Sequence, residues 1–166
     1  MNETIIRPAD LSSDLDRLVE IYRIGAAQAF PEVPAATFDQ SHFLNACQGE
    51  EIWVATRRNV LLGFASYYET EHFLHSLYVD PQLQGIGVGT LLLSALLEHY
   101  QRGHRLKVGK NNEKARTFYD SLGYFDITKP GEESESWVML SSPPFLPLGR
   151  LERLEKPLRH HILECS

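Results

Sequence analysis

A turn that contains Gly85, Gly87 and Gly89 joins an apolar, strand-like run to a strongly apolar, helix-like run. Glycine allows φ > 0 and, because it has no Cβ, lets a ligand come close to the backbone. A helix that begins at such a turn directs the unpaired N–H groups of its first turn outward, with the positive end of its dipole. The sequence therefore predicts a strand–turn–helix unit that binds an anion, most often a phosphate.

The runs on either side of this turn predict a mixed α/β sheet. Two β-rich runs separated by residues 57–59 predict an antiparallel hairpin, and elsewhere strands alternate with helices. Alternation along one strand places Leu74 and Leu77 on opposite faces. The predicted strands are Thr4–Arg7, Ile52–Thr56, Val60–Tyr68, Phe73–Val79, Leu106–Val108, Trp137–Leu140 and Arg150–Leu158. The predicted helices are one with Leu15, Leu18, Val19 and Tyr22 on one face, Thr37–Gln48, the helix from the glycine turn to Tyr100, and Asn112–Leu122.

Chain length and charge restrict the class of protein. With 166 residues, the chain is predicted to form one domain over residues 1–158, followed by a loosely held tail over residues 159–166. The net charge of −6 argues against a nucleic-acid surface, because phosphate contacts require clustered Lys and Arg. No run is long enough for a membrane span, and no signal-peptide pattern is seen. Cys47 and Cys165 form no metal or redox motif, so we expect a cytoplasmic protein without a metal.

Two familiar nucleotide-binding motifs do not fit the glycine turn. A triphosphate-binding loop requires a Lys followed by Ser or Thr, and the turn contains no Lys. A dinucleotide fingerprint requires Gly-x-Gly-x-x-Gly, whereas the spacing here is Gly-x-Gly-x-Gly, in a unit that follows a hairpin. A plain connection between strand and helix remains as an alternative to a ligand site.

Two sequence blocks resemble the GNAT superfamily of N-acetyltransferases. The segment Gln82-Leu-Gln-Gly-Ile-Gly matches the acyl-CoA signature Gln/Arg-x-x-Gly-x-Gly/Ala, which also fits when it begins at Gln84. The segment from Asn112 to Tyr124 resembles the superfamily's Asn-x-x-Ala-x-x-Phe-Tyr-x-x-x-Gly-Phe element. The order of elements agrees over nearly the whole chain, and the resemblance is sharp from about Phe73 to Phe125.

The resemblance implies a single domain with a mixed sheet of six or seven strands and about four helices. The fourth and fifth strands would be parallel and splayed apart, with the pantetheine of acetyl-CoA between them. Backbone N–H groups of the turn would bind the pyrophosphate, and those near Leu77–Val79 would face the acyl carbonyl. The implied coenzyme-binding residues are Leu77, Tyr78, Val79, Gln84, Gly85, Ile86, Gly87, Val88, Gly89, Thr90 and Asn112. Capping of a helix alone would also explain Asn112. Two interpretations fit Lys110, Lys114 and Arg116: they contact the nucleotide 3′-phosphate, or they are solvated.

Two catalytic roles follow from the resemblance and the chemistry. Tyr119 matches the superfamily's Tyr and would protonate the departing thiolate, although a core Tyr on an amphipathic helix also fits. An alkyl amine has a pKa of about 10.4, so a base that removes its proton helps at neutral pH. His75 lies where relatives often carry His or Glu, and its ordinary pKa suits the task. Glu69, Glu71, His72 or a chain of waters are rivals for this role.

The sequence specifies the acceptor least. The resemblance implies that residues 22–38 and 132–147 form the acceptor site, with aromatic residues such as Phe30 and Phe38 and acidic residues such as Glu32 and Glu132. We predict transfer of acetyl from acetyl-CoA to a primary amine of a small molecule, by direct attack in a ternary complex. Acetylation of a protein N-terminus or lysine, or a non-catalytic acyl-CoA sensor, are the alternatives. The proline-rich loop Pro143–Pro147 would reshape the acceptor mouth or support a homodimer.

Overall fold

Seven strands form one mixed sheet in the computed structural model, which describes residues 3–144 and 146. The strand order is β1-β2-β3-β4-β5-β7-β6, and neighbouring strands are antiparallel except for β4 and β5. The strands are β1 (Ile5–Pro8), β2 (Glu51–Arg57), β3 (Val60–Tyr68), β4 (Phe73–Val79), β5 (Arg105–Gly109), β6 (Phe125–Asp126) and β7 (Trp137–Ser141).

In the described part of the chain, four α-helices flank the sheet, and capping side chains explain where three of them begin. Asp10, Asp39 and Asn112 each accept a hydrogen bond from a backbone N–H in the first turn of the helix that follows. The third helix begins at the glycine turn instead. The helices are α1 (Leu11–Ala29), α2 (Gln40–Ala46), α3 (Val88–Tyr100) and α4 (Glu113–Ser121). None in the described part of the chain is long and apolar enough to cross a membrane.

The parallel pair β4 and β5 is joined only at its beginning. Phe73 pairs with Arg105 and Leu74 pairs with Leu106, and no later pair of residues is in register. The two strands therefore diverge toward their carboxyl ends and leave a wedge between Val79 and Gly109. The prediction of splayed, parallel fourth and fifth strands in a mixed sheet of six or seven strands is confirmed.

The helices cover the two faces of the sheet with two separate apolar clusters. On one face, Leu18 and Ile21 of α1 and Phe43 of α2 pack against Val54 and Phe64 of the sheet. On the other face, the α3 leucines pack against β2 to β5, and Tyr119 of α4 joins this cluster. Burial of these apolar side chains holds α3 and α4 against the strands that form the wedge.

A β-bulge interrupts β4 at His75. Ser66 of β3 is opposite Ser76, but the next residue, Tyr67, is opposite Leu74, so His75 is an additional residue in its strand. Leu74 consequently packs in the same cluster as Leu77. The expectation that these two leucines lie on opposite faces was wrong, because simple alternation cannot anticipate a bulge.

Some strands and loops of the structure also differ from those predicted from the sequence. Phe125–Asp126 was not predicted as a strand, because two residues carry no detectable pattern. The link between the sixth and seventh strands is therefore residues 127–136 rather than 132–147. The predicted strand Arg150–Leu158 and the tail over residues 159–166 lie outside the described residues, as does much of the loop Pro143–Pro147.

Candidate active site

A cavity of about 570 Å³ occupies the wedge, between the end of β4, the glycine turn, α3 and α4, with α1 at its rim. All predicted site residues line it except Ile86 and His75. Those that do are Leu77, Tyr78, Val79, Gln84, Gly85, Gly87, Val88, Gly89, Thr90, Asn112 and Tyr119. Lys114, for which the sequence left a phosphate contact open, also lines it. Residues that the sequence did not predict as its lining are Gly25, Gln28, Ala29, Leu83, Ala115, Thr117, Phe118 and Ser121.

The glycine turn presents backbone donors to this cavity. Gly85 and Gly87 have φ values of 80° and 97°, which side chains rarely permit. Gly87 is the residue before α3, and no side chain caps that helix. The N–H groups of Val88, Gly89 and Thr90 belong to the first turn and have no carbonyl four residues earlier within the helix. The turn therefore has the geometry of an anion site.

Gln84 fixes the entrance to the turn. Its Nε2 donates to the carbonyl oxygen of Val79 at 3.2 Å, and its Oε1 accepts from Nζ of Lys114. The side chain thus links the end of β4 to α4 across the mouth of the cavity. Lys114 adds a positive charge to the wall, beside the helix terminus that would bind an anion. Arg116, which is also on α4, does not bond to Gln84; its Nη1 donates to the carbonyl oxygen of Lys110 at 3.2 Å.

Backbone groups of β4 also face the wedge. Along Leu77–Val79, the strand pairs with β3 on one side, while its other side has separated from β5. In an antiparallel ladder, the groups of alternate residues point away from the partner strand. An unpaired N–H group at this edge can donate a hydrogen bond to a carbonyl oxygen held in the cavity.

Two small residues let aromatic rings form the cavity wall. A Cβ on Gly25 of α1 would lie 2.3 Å from Cδ1 of Tyr78, so the ring packs directly on the helix backbone. A Cβ on Gly89 would lie 3.1 Å from Cζ of Phe118. The sequence gives no isolated signal for Gly25, because its role depends on a ring from a distant strand.

Tyr119 combines burial with access to the cavity. It is buried in the cluster beneath α4, and its ring lies 5.2 Å from that of Phe118 and 5.1 Å from that of Tyr124. Burial, and to a lesser extent the neighbouring Tyr78, raise the pKa of its hydroxyl. The group therefore stays protonated at physiological pH and can act as a proton donor.

Asn112 is the cap of α4. Its Oδ1 accepts from the backbone N–H of Ala115 at 3.1 Å, so the capping interpretation is confirmed for the oxygen. The same residue lines the cavity.

His75 lies outside the cavity wall, on the bulge of β4. Its side chain is 47% exposed, and Nδ1 contacts Oε1 of Glu50. Burial and the positive charge of Lys107 lower the pKa of the imidazole. At neutral pH the ring is therefore unprotonated and able to accept a proton.

The three other side chains considered as the base lie in the segment that follows β3. Glu69 and Glu71 are exposed in a short 3-10 turn, and His72 ends that turn with a φ of 49°. Nδ1 of His72 lies 3.4 Å from the hydroxyl of Tyr67. None of the three lines the cavity described above.

The two aromatic residues predicted for the acceptor site have different surroundings in the structure. Phe38 is buried in the α1–α2 cluster, where its ring centre lies 6.0 Å from that of Tyr22, and its part in an acceptor pocket stays a prediction. Phe30 is exposed at the end of α1. Within residues 3–144 and 146, no group of three or more His, Cys, Asp and Glu side chains is arranged to hold a metal ion.

Replacement of Gly85 by Ala tests the turn. The new Cβ meets no atom within 4 Å in the protein, so its effects are backbone strain and obstruction of the site. We expect the Kd for acetyl-CoA, measured by calorimetry, to rise about tenfold, which corresponds to the loss of roughly 1.4 kcal/mol of binding free energy.

Gly131→Ala is the matched control, because Gly131 has a φ of 88° and equally open surroundings but does not line the cavity. It should share the strain and leave the Kd unchanged. Equal Kd values for both variants would contradict the assignment of the turn.

Comparison with known proteins finds a family match that includes the residues lining the cavity. The sequence profile described as the acetyltransferase (GNAT) family matches residues 15–124. An uncharacterized N-acetyltransferase of Methanocaldococcus jannaschii is 40% identical over 55 residues, which are 31% of this chain and 24% of that protein. The match thus spans about a quarter of that curated relative's length.

Two solved structures share the fold. The PaiA N-acetyltransferase of Thermoplasma acidophilum, solved in complex with coenzyme A, has a TM-score of 0.68 and 18% identity, covering 85% of this chain and 99% of that chain. The YncA protein of Salmonella typhimurium, solved with its cofactor acetyl-CoA, has a TM-score of 0.60 and 19% identity, covering 86% and 94% of the two chains.

Proposed function

Because the chain belongs to the acetyltransferase (GNAT) family, we propose that it transfers the acetyl group of acetyl-CoA to a primary amine of a small molecule. The observation that carries this proposal is the cavity in the wedge between β4 and β5, which ends on the uncapped glycine turn of α3. A cavity of this kind accommodates a long, narrow molecule with a phosphate at one end.

The donor would be held mainly by backbone groups. The pyrophosphate would accept hydrogen bonds from the N–H groups at the start of α3, with Lys114 close by. The pantetheine would lie along the free edge of β4, and the acetyl carbonyl would accept from backbone N–H groups near Leu77–Val79. Two solved structures with the same fold contain coenzyme A or acetyl-CoA, which supports acetyl-CoA as the donor.

The reaction needs one proton removed and one supplied. The neutral amine nitrogen attacks the thioester carbon directly, and His75 or a water chain takes the proton that this nitrogen loses as the nitrogen–carbon bond forms. As the carbon–sulfur bond breaks, Tyr119 donates its proton to the thiolate. No Cys lies in the described wall of the cavity, so an acyl-enzyme on Cys is not part of this mechanism.

Thermal shift and thiol release together test the proposal. We expect acetyl-CoA to raise the Tm, because a ligand that binds only the folded state stabilises it. A panel of amino acids, polyamines, aminoglycosides and peptides should then contain at least one small amine that releases CoA thiol. A thermal shift without thiol release on any amine would favour a sensor, and absence of both would overturn the proposal. Cytoplasmic location and a homodimer stay predictions.

A further inference from the structure

A buried carboxylate lies against the proposed base. The side chain of Glu50 is only 3% exposed, and its Oε1 contacts Nδ1 of His75. Its second oxygen, Oε2, has no hydrogen-bond partner among residues 3–144 and 146. A buried carboxylate is costly without a partner, so the contact with His75 is its main compensation in this part of the chain.

The backbone holds Glu50 in place. It follows Gly49, whose φ of 77° reverses the chain after α2, and it lies directly before β2. Its N–H donates to the carbonyl oxygen of Cys47 at 3.1 Å. The carboxylate is therefore carried by a fixed turn rather than by a free loop.

The imidazole ring is held by neighbours on two more sides. The ring of Phe73 meets it edge-on at 4.7 Å, and the ring of Tyr68 lies nearly parallel at 6.4 Å. With Nδ1 on Glu50, Nε2 points away from the carboxylate. Since half of the side chain is exposed, Nε2 is the nitrogen left for a substrate or a water.

The charged and titratable groups near the ring come from three other elements. Glu50 precedes β2, Tyr68 ends β3, and Lys107 lies on β5, where its Nζ is 4.2 Å from the ring centre of Trp137. Burial and the positive charge of Lys107 lower the pKa of His75 and favour the neutral ring, whereas an ionised carboxylate at Nδ1 would favour the imidazolium. The balance leaves His75 neutral at rest and provides a counter-charge once it takes a proton.

We propose that Glu50 is the positioning residue of the base: its carboxylate accepts the Nδ1–H of His75, which fixes the tautomer with Nε2 free, and stabilises the imidazolium that forms. This inference rests on the proposed function. The nitrogen–carbon bond forms, the amine proton moves to Nε2, and the carbon–sulfur bond breaks as the thiolate takes the Tyr119 proton. Solvent later removes the proton from His75 and returns one to Tyr119.

Glu50→Gln tests the proposal, because it keeps the size of the side chain and removes its charge. We expect kcat to fall about tenfold with the KM for acetyl-CoA unchanged, since positioning acts on the transition state. The acid limb of the pH profile should move to lower pH, because loss of the negative charge lowers the pKa of His75. A role in folding alone would not move that limb.

Glu51→Gln is the matched control. The neighbouring carboxylate accepts a hydrogen bond from the hydroxyl of Tyr100 on α3 instead of contacting His75. This variant should leave kcat and the pH profile unchanged. If Glu50→Gln left kcat and the acid limb unchanged as well, the proposal would be overturned.

Nitrogen-15 NMR of His75 separates this inference from the proposed function. In the wild-type protein, without substrate, we expect Nδ1 to carry the proton in the neutral ring. A ring protonated at Nε2 would refute the role of Glu50, whether or not any amine is acetylated and whether or not the variant folds. If the Nδ1–H form is found but no amine releases CoA thiol, the proposed function fails and the pairing stands.

Discussion

Replacing Tyr119 by Phe should lower kcat about a hundredfold, at the lower end of what a general acid contributes. The ring, and with it the packing of α4 on the sheet, is retained, and only the hydroxyl is lost. The Kd for acetyl-CoA should change less than twofold, because the hydroxyl acts on the departing sulfur and not on the bound thioester. Thiol-release kinetics and calorimetry with acetyl-CoA measure the two quantities.

Tyr124→Phe is the control for this prediction. Tyr124 belongs to the same buried aromatic cluster, but its hydroxyl bonds to Nε2 of His104 at 2.8 Å and it does not line the cavity. Loss of that bond should cost about 1–3 kcal/mol of stability by leaving a buried group unpaired, without a comparable effect on kcat. A Tyr119→Phe enzyme with wild-type kcat would remove Tyr119 from the mechanism.

The pH dependence adds a second check on Tyr119. Burial raises the pKa of its hydroxyl, so the donor form persists to high pH. We therefore expect no alkaline loss of kcat from this residue in the range where an exposed tyrosine would ionise, near pH 10. An alkaline limb that disappears in Tyr119→Phe would show that the hydroxyl is less shielded than its position implies.

Much of the lining of the cavity was predictable from the sequence because local patterns encode it. A strand followed by Gly-x-Gly-x-Gly and an apolar helix can form little else than a turn with free N–H groups. The Asn112–Tyr124 block likewise specifies its own cap and its buried face. Both segments place their residues through short-range contacts, and the structure brings nearly all of them to one cavity.

The remaining features depend on contacts between distant segments. The bulge at His75 arises from the register of β3 against β4, which periodicity within one strand does not reveal. Gly25 matters only because Tyr78 packs onto it from another element. Glu50 looked like an ordinary polar residue before a strand, and only the folded chain shows it buried against an imidazole. The acceptor site is harder still to predict from the sequence, since Phe38 packs in the apolar core.

Replacing His75 by Ala should lower kcat/KM at neutral pH about a hundredfold and abolish the acid limb of the pH profile. The base must be unprotonated to act. Burial and Lys107 hold its pKa below the ordinary value of about 6.5, so His75 is mostly in its base form at pH 7. As pH falls through that pKa, kcat/KM should decrease, approaching about tenfold per pH unit. Without the imidazole, the decrease that titration of His75 causes is lost.

Glu69→Gln and Glu71→Gln are the companion variants, because both carboxylates lie in the exposed turn before β4 and are rivals for the same proton. They should keep the acid limb, whereas His75→Ala loses it. If the limb persisted in His75→Ala but vanished in one of the glutamine variants, that carboxylate would be the base. Persistence in all three variants would point to a chain of waters, and the role of Glu50 would then be confined to holding the ring.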